Sequence, residues 1–159
     1  MAGRGMTRIG ADGLVGRWLP VVMWATVISL LSSDGFSGDH TGALLLPLLR
    51  TVFPSASPET LLILHGGIRK LAHVGEYAVL AMLVLRALEH PGRTLAATAA
   101  LTLLLCAGYA ALDELHQSFV PSRGASPLDV GIDTLGAALG LGGRVLVRSA
   151  LSADRRSPA

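Results

Sequence analysis

Residues Thr94–Leu115 read TLAATAALTLLLCAGYAALDEL, an apolar run that contains no charged side chain before Asp113. A helix needs about 20 mostly apolar residues to cross the hydrocarbon core of a bilayer, and this run is long enough. It ends in Asp113 and Glu114, and His116 and Gln117 follow directly. Ionisable groups in a membrane span are costly unless they face the bundle interior or water. The run therefore predicts a transmembrane helix with a functional polar cluster at its end.

The composition places the whole chain among integral membrane proteins. Of 159 residues, 51% are hydrophobic and 15% are charged, whereas a soluble domain has about 25% charged residues. The mean hydropathy is +0.56. The single cysteine, Cys106, excludes a disulfide framework or a multi-cysteine metal site and is expected to be a small buried hydrophobe. The basic residues form no nucleic-acid motif, so we expect the lipid bilayer and no nucleic acid as partner.

Four apolar runs predict an all-α membrane protein with four transmembrane helices in a compact bundle. They are Leu14–Ser33, Ile68–Leu88, Thr94–Leu115 and Leu128–Arg148. A shorter run, Gly42–Phe53, predicts an interfacial or re-entrant helix in the first outer loop. Ser57-Pro58-Glu59 and Ser126-Pro127 are helix-start signals. The resulting organisation is a cytoplasmic tail at 1–13, a transmembrane domain at 14–148 and a cytoplasmic tail at 149–159.

The distribution of Lys and Arg predicts the orientation, because cytoplasmic loops carry the excess. With the N-terminus inside, nine basic residues lie on the inner side and four on the outer side. The outer four are Arg50, Arg69, Lys70 and Arg123. We therefore predict a protein with both termini inside, an uncleaved first span and a polar cluster on the outer face of the membrane.

The second span begins with a polar stripe. Lys70, His73, Glu76 and Tyr77 fall within about a third of the helix circumference. Such a face is expected to point into the bundle or a water-filled cavity. Alternatively, Lys70 pairs with Glu76 or His73, or extends to the interface.

The third span ends with Tyr109, Asp113, His116 and Gln117 on one helical face. Asp113 and His116 could share a proton or bind one metal ion. However, no second histidine stands at a fixed short spacing and no cysteine accompanies them, which is a poor match to a zinc site. A hydrogen-bonded polar network without metal is the favoured interpretation.

The fourth span carries two carboxylates and two glycines on one stripe. Asp129, Asp133, Gly136 and Gly140 are spaced for a single face, and the glycines allow a neighbouring helix to approach closely. A purely structural salt-bridge network is one interpretation of the carboxylates. Three polar stripes in so small a bundle instead predict that they converge in one cavity near the outer leaflet.

In their order along the chain, these residues resemble the VanZ-like family of small bacterial membrane proteins. The resemblance rests on Arg69-Lys70, His73, Glu76, Tyr77, Tyr109-Ala110, Asp113-Glu114, His116-Gln117, Pro121, Arg123, Asp129, Asp133, Gly136 and Gly140. It covers about residues 18 to 145. Ser122 stands where glycine is common, and Gly35–Ser57 matches poorly. The resemblance implies a multi-pass protein of the bacterial cytoplasmic membrane, in a family named for a member that confers low-level tolerance to teicoplanin.

Three functions are compatible with these residues. The first is an envelope protein that binds an anionic lipid or lipid-linked cell-wall component and affects glycopeptide susceptibility, with Arg123 and Lys70 holding phosphate. His73, Glu76, Tyr77, Gln117, Asp129 and Asp133 would line the same pocket. The second is an intramembrane enzyme in which Asp113 or Glu114 is the general base, His116 its partner and Arg123 the charge stabiliser. The third is a proton-coupled carrier. Cofactor and oligomeric state are left open.

Overall fold

The computed structural model describes residues 11–36, 38–120 and 126–154, and within these ranges the chain is helical without strands. The helices are α1 (Ala11–Leu31), α2 (Gly38–Val52), α3 (Pro58–Leu88), α4 (Leu95–Gln117) and α5 (Pro127–Asp154), with a short 3-10 turn at Asp34–Phe36. Four of them, α1, α3, α4 and α5, contain segments long and apolar enough to cross a membrane. The predicted all-α, four-span membrane fold is therefore confirmed.

Helix α3 begins ten residues before the predicted second span. Ser57 caps it by accepting a hydrogen bond from the Thr60 amide at 3.1 Å, and Pro58 occupies the first turn, as the helix-start signal indicated. The predicted span began after His65, Gly66 and Gly67 because these residues interrupt the apolar run. The helix nevertheless continues through them. With 31 residues, α3 is about 46 Å long, against a hydrocarbon core of about 30 Å. It therefore tilts or extends beyond the core.

The centre of the bundle is α3, which packs against each of the other four helices. Its closest approach is to α5 at two glycines. A Cβ on Gly136 would lie 2.5 Å from the Val74 carbonyl oxygen, and one on Gly140 would lie 2.4 Å from that of Ala78. The close approach predicted from the glycine spacing is thus confirmed, and it brings the first turns of α5 against α3.

Aliphatic side chains fill most of the core, together with alanines, Cys106 and Tyr77. Ile28, Tyr77, Cys106 and Ala137 are completely buried, so the interpretation of Cys106 as a buried hydrophobe is confirmed. Many large apolar side chains on the transmembrane helices remain exposed, among them Met23, Leu104 and Leu146. An exposed apolar surface of this kind suits lipid contact, because acyl chains are as apolar as leucine.

Helix α2 covers the first part of α3 on one side. It starts at Gly38, somewhat before the predicted Gly42, and contains Pro47. Thr41 Oγ1 and His65 Nε2 are 3.2 Å apart and join the two helices. Gly42 lies beside the His65 ring, where an added Cβ would be 3.5 Å from Cε1. The position of α2 at the membrane interface stays a prediction.

At the opposite end, arginines hold α1, α3 and α5 together. Arg17 donates to the Glu89 carbonyl at 3.1 Å, and Arg86 donates to the Gly16 carbonyl at 3.3 Å. Arg144 forms a salt bridge with the Glu89 carboxylate at 3.4 Å. Three of the arginines that were predicted on the inner side therefore lie at one end of the bundle, away from the polar stripes. They are Arg17, Arg86 and Arg144.

Candidate functional site

A small cavity of about 170 Å³ opens between the end of α1, helix α2 and helix α3. Its α3 wall consists of one helical face, because the positions are spaced by three or four residues. This wall is formed by Ile68, Arg69, Ala72, His73 and Glu76, and the opposite wall by Leu31, Thr41 and Leu45. The cavity thus combines apolar walls with a guanidinium, an imidazole and a carboxylate, a lining typical of ligand sites.

Arg69 is the cation of this cavity. Its guanidinium makes no hydrogen bond and no salt bridge within the part of the chain that the structure describes. It extends toward the start of α2, where a Cβ on Gly38 would lie 2.7 Å from Nη1. The sequence pattern predicted Lys70, and not its neighbour Arg69, as a phosphate ligand.

Lys70 points to a different neighbour. Its Nζ lies 2.7 Å from Asp129 Oδ1, and the lysine side chain is 50% exposed. The predicted stripe of Lys70, His73 and Glu76 is therefore divided: Lys70 faces the start of α5, while His73 and Glu76 face the cavity. An exposed pair of this kind contributes little to stability, about 0–1 kcal/mol.

His73 connects the cavity to the buried carboxylate of Asp133. Its Nδ1 is 3.5 Å from Asp133 Oδ1 and 3.9 Å from Glu76 Oε2. The His73 side chain is 22% exposed, whereas that of Asp133 is 1% exposed. Asp133 is therefore buried next to the imidazole and does not line the cavity. Within the described residues, neither Asp133 oxygen has a hydrogen-bond partner.

A second polar network joins α1 to α4. Ser32 Oγ donates to Asp113 Oδ2 at 2.6 Å. Gln117 Nε2 donates to the same oxygen at 2.9 Å and to Ser32 Oγ at 3.3 Å. All three side chains are buried. The structure thus places Asp113 and Gln117 together as the predicted face requires, and adds Ser32, which the sequence analysis did not identify.

The two tyrosines lie between these groups. Their ring centroids are 6.2 Å apart. Tyr109 donates to the Ala25 carbonyl at 2.5 Å and lies 2.8 Å from Ser29 Oγ. Tyr77 is completely buried in the core, and its hydroxyl has no hydrogen-bond partner among the residues that the structure describes. Direct contact between Tyr77 and a ligand, as the sequence predicted, would require the core to open.

Two predicted catalytic residues at the end of α4, Glu114 and His116, lie in different environments. Glu114 is buried, and its Oε2 accepts a hydrogen bond from the Ser126 amide at 2.7 Å, immediately before α5 begins. His116 is exposed. The structure therefore does not bring His116 to Asp113, and Glu114 supports the entry into α5. Arg123, the predicted phosphate ligand of the following loop, lies outside the described residues.

The carboxylates of α3, α4 and α5 nevertheless gather around one position. Asp133 is close enough to Asp113, Glu114, Asp129 and Glu76 for their charges to act on it. Among the residues described, no three His, Cys, Asp or Glu side chains are arranged to hold a metal ion. The arrangement supports hydrogen bonding and proton transfer through His73 and the acids around it.

Comparison with known proteins identifies the family. No curated protein and no solved structure matches the chain significantly. The model of the VanZ/LLP1 family matches residues 18–148, a range that includes the last three membrane spans, most of the first and every residue of the site described above. The chain is a member of the VanZ/LLP1 family of membrane proteins.

Proposed function

We propose that this membrane protein binds the phosphate group of a lipid or lipid-linked molecule in the cavity between α2 and α3. The observation that carries the proposal is Arg69, a guanidinium that lines the cavity without a salt bridge to any described residue. A guanidinium binds phosphate through paired hydrogen bonds. The apolar cavity residues, such as Leu45 and Ile68, suit the chain of a lipid next to its head group.

Charge balance favours Arg69 over Lys70 for this role. Lys70 already pairs with Asp129 at 2.7 Å, so a phosphate would have to compete with that carboxylate. Arg69 has no such competitor among the described residues. The part assigned to Arg123 stays a prediction.

The cavity belongs, in this proposal, to the outer side of the bacterial cytoplasmic membrane. The support is the Lys and Arg distribution together with the arginines Arg17, Arg86 and Arg144 at the opposite end of the bundle. Lipids with phosphate head groups and lipid-linked cell-wall components are both accessible from that side.

Substitution of Arg69 tests the binding proposal. We expect Arg69→Gln to weaken binding of phosphatidylglycerol about 10-fold to 100-fold, since hydrogen bonds to charged groups contribute about 1.5–3 kcal/mol. Binding is measured by native mass spectrometry of protein solubilised in mild detergent and titrated with the lipid. Arg50→Gln is the matched control, because this substitution removes the same charge outside the cavity. Arg50 is exposed at the end of α2.

Lys70→Gln compares the two adjacent cations in the same titration. We expect it to weaken binding less than Arg69→Gln does. Equal binding by wild type, Arg69→Gln and Arg50→Gln, in variants with unchanged thermal unfolding, would contradict the proposal. A larger loss with Lys70→Gln would instead assign the phosphate to Lys70.

An effect on glycopeptide susceptibility is a further part of the proposal. A protein that binds the phosphate groups of lipids at the outer surface would change how readily a lipid-bearing antibiotic reaches that surface. We expect production of the wild-type chain in a teicoplanin-sensitive bacterium to raise the inhibitory concentration. We expect Arg69→Gln, with its loss of binding of about 10-fold or more, to abolish the increase. The same inhibitory concentration for both proteins at equal membrane abundance would separate lipid binding from susceptibility.

A further inference from the structure

We propose that the bundle has a second lipid site at the end opposite the Arg69 cavity, where Arg17, Arg93 and His90 bind the phosphate group of an anionic phospholipid. In the orientation proposed for the chain, this lipid belongs to the inner leaflet of the membrane. The site shares no residue with the cavity between α2 and α3. It is therefore independent of the binding proposed for that cavity.

The site is built around an open groove between the end of α3 and the start of α4, called the inner groove below. It is lined by Glu89, His90, Pro91, Arg93, Leu95 and Thr98. The apolar span of α3 ends at Leu88 and that of α4 begins at Leu95, so the groove lies where the two spans leave the membrane. Basic pockets between transmembrane helices at this level are typical binding sites for the head groups of anionic lipids.

Two guanidiniums are fixed at neighbouring carbonyl groups beside this groove. Arg17 Nη1 donates to the Glu89 carbonyl at 3.1 Å, and Arg93 Nη1 donates to the Leu88 carbonyl at 3.4 Å. Carbonyls at the end of a helix lack partners within the helix and accept such side-chain donors. Each contact engages only one nitrogen of the guanidinium. The planar fork of each group therefore keeps further donors for a phosphate, which it can bind through paired hydrogen bonds.

The charges at this end are concentrated without being neutralised. Among the described residues, Arg17, Arg86 and Arg93 form hydrogen bonds to carbonyl oxygens and no salt bridge. Arg144 pairs with the Glu89 carboxylate at 3.4 Å. Carbonyl oxygens hold a guanidinium in place but leave its full charge, and like charges held close together repel each other. An anion that binds between Arg17 and Arg93 would lower this repulsion.

His90 supplies a neutral donor in the same groove. Its Nδ1 accepts a hydrogen bond from the Gly92 amide at 3.2 Å. In a neutral imidazole whose Nδ1 is an acceptor, the proton is on Nε2. His90 is exposed and lines the inner groove, so its Nε2–H can donate to the phosphate that Arg93 binds.

The surface next to the arginines favours a membrane lipid over free phosphate as the ligand. Leu14 and Leu19 are exposed on α1 within one turn of Arg17, and Met82 is exposed on α3 one turn before Arg86. Exposed apolar side chains on transmembrane helices contact acyl chains. Arginines beside such a surface extend to the level of the lipid head groups. The acyl chains of a bound phospholipid would therefore lie along α1 and α3 while its phosphate meets the arginines.

Stabilisation by phosphatidylglycerol tests the site. The lipid is titrated into the full chain carrying Arg69→Gln, in micelles of an uncharged detergent, so that the cavity between α2 and α3 contributes little. A ligand that binds only the folded protein stabilises it in proportion to the logarithm of the ligand concentration. We expect the unfolding temperature to rise with phosphatidylglycerol, and to rise much less with zwitterionic phosphatidylcholine or with inorganic phosphate.

Arg17→Gln and Arg93→Gln, each added to Arg69→Gln, identify the ligands. We expect each to weaken the apparent affinity for phosphatidylglycerol about fivefold, which is about 1 kcal/mol for one basic residue at a membrane surface. The two together are expected to weaken it further. An arginine that only holds the helices together would lower the unfolding temperature equally with and without lipid, so the lipid-dependent part of the shift separates the two roles. Arg93→Lys keeps the charge and is expected to keep most of that shift.

Arg50→Gln is again the matched control, because it removes one exposed positive charge from α2, which packs against the first part of α3. We expect it to leave the lipid-dependent shift unchanged. A shift that survives Arg17→Gln and Arg93→Gln together, or that phosphatidylcholine reproduces, would overturn the inner site. An equal shift with inorganic phosphate would overturn a phospholipid as its ligand.

The comparison with Arg69 separates this site from the one between α2 and α3. A shift that occurs with Arg69 present and disappears with Arg69→Gln alone would overturn the inner site and leave the binding proposal standing. A shift that Arg69→Gln leaves unchanged and that Arg17→Gln with Arg93→Gln abolishes would support the inner site, and would contradict lipid binding by Arg69.

Discussion

Replacement of Gly140 by alanine is expected to destabilise the protein by about 3 kcal/mol, even though it adds a single methyl group. The new Cβ would lie 2.4 Å from the Ala78 carbonyl oxygen and 2.8 Å from the Ala78 Cα. These are backbone atoms of a central helix, so no flexible side chain can move aside. Helices α3 and α5 would have to separate, and the 3.5 Å distance between His73 Nδ1 and Asp133 Oδ1 would change with them. Reversible unfolding in mixed detergent measures the loss.

Gly142 provides the matched control on the same helix. It is exposed, and an added Cβ would meet nothing within 4 Å. Gly142→Ala is therefore expected to be neutral or to stabilise the helix by up to about 1 kcal/mol, because alanine is the better helix former. The two alanine variants should thus change stability in opposite directions. Equal stability of Gly140→Ala and wild type would mean that α3 and α5 are farther apart than the structure shows.

The glycine contact and the four spans could be predicted because each depends on local sequence. An apolar run of sufficient length has few alternatives to a membrane helix. The spacing of Gly136 and Gly140 identifies the face that can approach another helix, although it does not identify the partner. The contact with Val74 and Ala78 depends on the tertiary arrangement of α3 and α5.

The choice between Arg69 and Lys70 could not be made from the sequence. Adjacent residues on a helix point about 100° apart, so one faces α2 and the other faces α5. Which of the two has a carboxylate partner depends on where Asp129 lies, and that is set by the packing of α5 on α3. The sequence therefore indicated a cation at this position, but it could not show that Arg69 and not Lys70 lines the cavity.

Ser32 shows a second limit of the same kind. It lies just beyond α1 and is completely buried, and its hydroxyl donates to Asp113, which is distant in the sequence. A lone serine at the end of an apolar run is common and gives no local signal of a partner. The polar face of α4 was visible because its members are spaced along one helix, whereas Ser32 joins it through tertiary structure alone.

The network of Ser32, Asp113 and Gln117 leads to the second prediction of large effect. Asp113→Ala is expected to lower the free energy of unfolding by about 2–3 kcal/mol, because it leaves two buried donors without their acceptor. The donors are the Ser32 hydroxyl at 2.6 Å and the Gln117 amide at 2.9 Å from Asp113 Oδ2. Unfolding in mixed detergent measures the loss, and a double-mutant cycle with Ser32→Ala isolates the α1–α4 contact. We expect a coupling of about 1 kcal/mol, within the range of hydrogen bonds between membrane helices.

Asp113→Asn separates the structural role of this residue from the catalytic role that the sequence analysis gave it. The amide keeps the side-chain shape and one acceptor oxygen, so both donors can remain paired, and we expect stability within about 1 kcal/mol of wild type. An amide does not accept a proton at neutral pH, so a general base at this position would be lost. Because the structure places Asp113 in the network with Ser32, outside the cavity that Arg69 lines, we expect Asp113→Asn to bind phosphatidylglycerol as the wild type does and to retain its effect on teicoplanin susceptibility. Loss of that effect in a fully stable Asp113→Asn protein that still binds the lipid would support Asp113 as a general base.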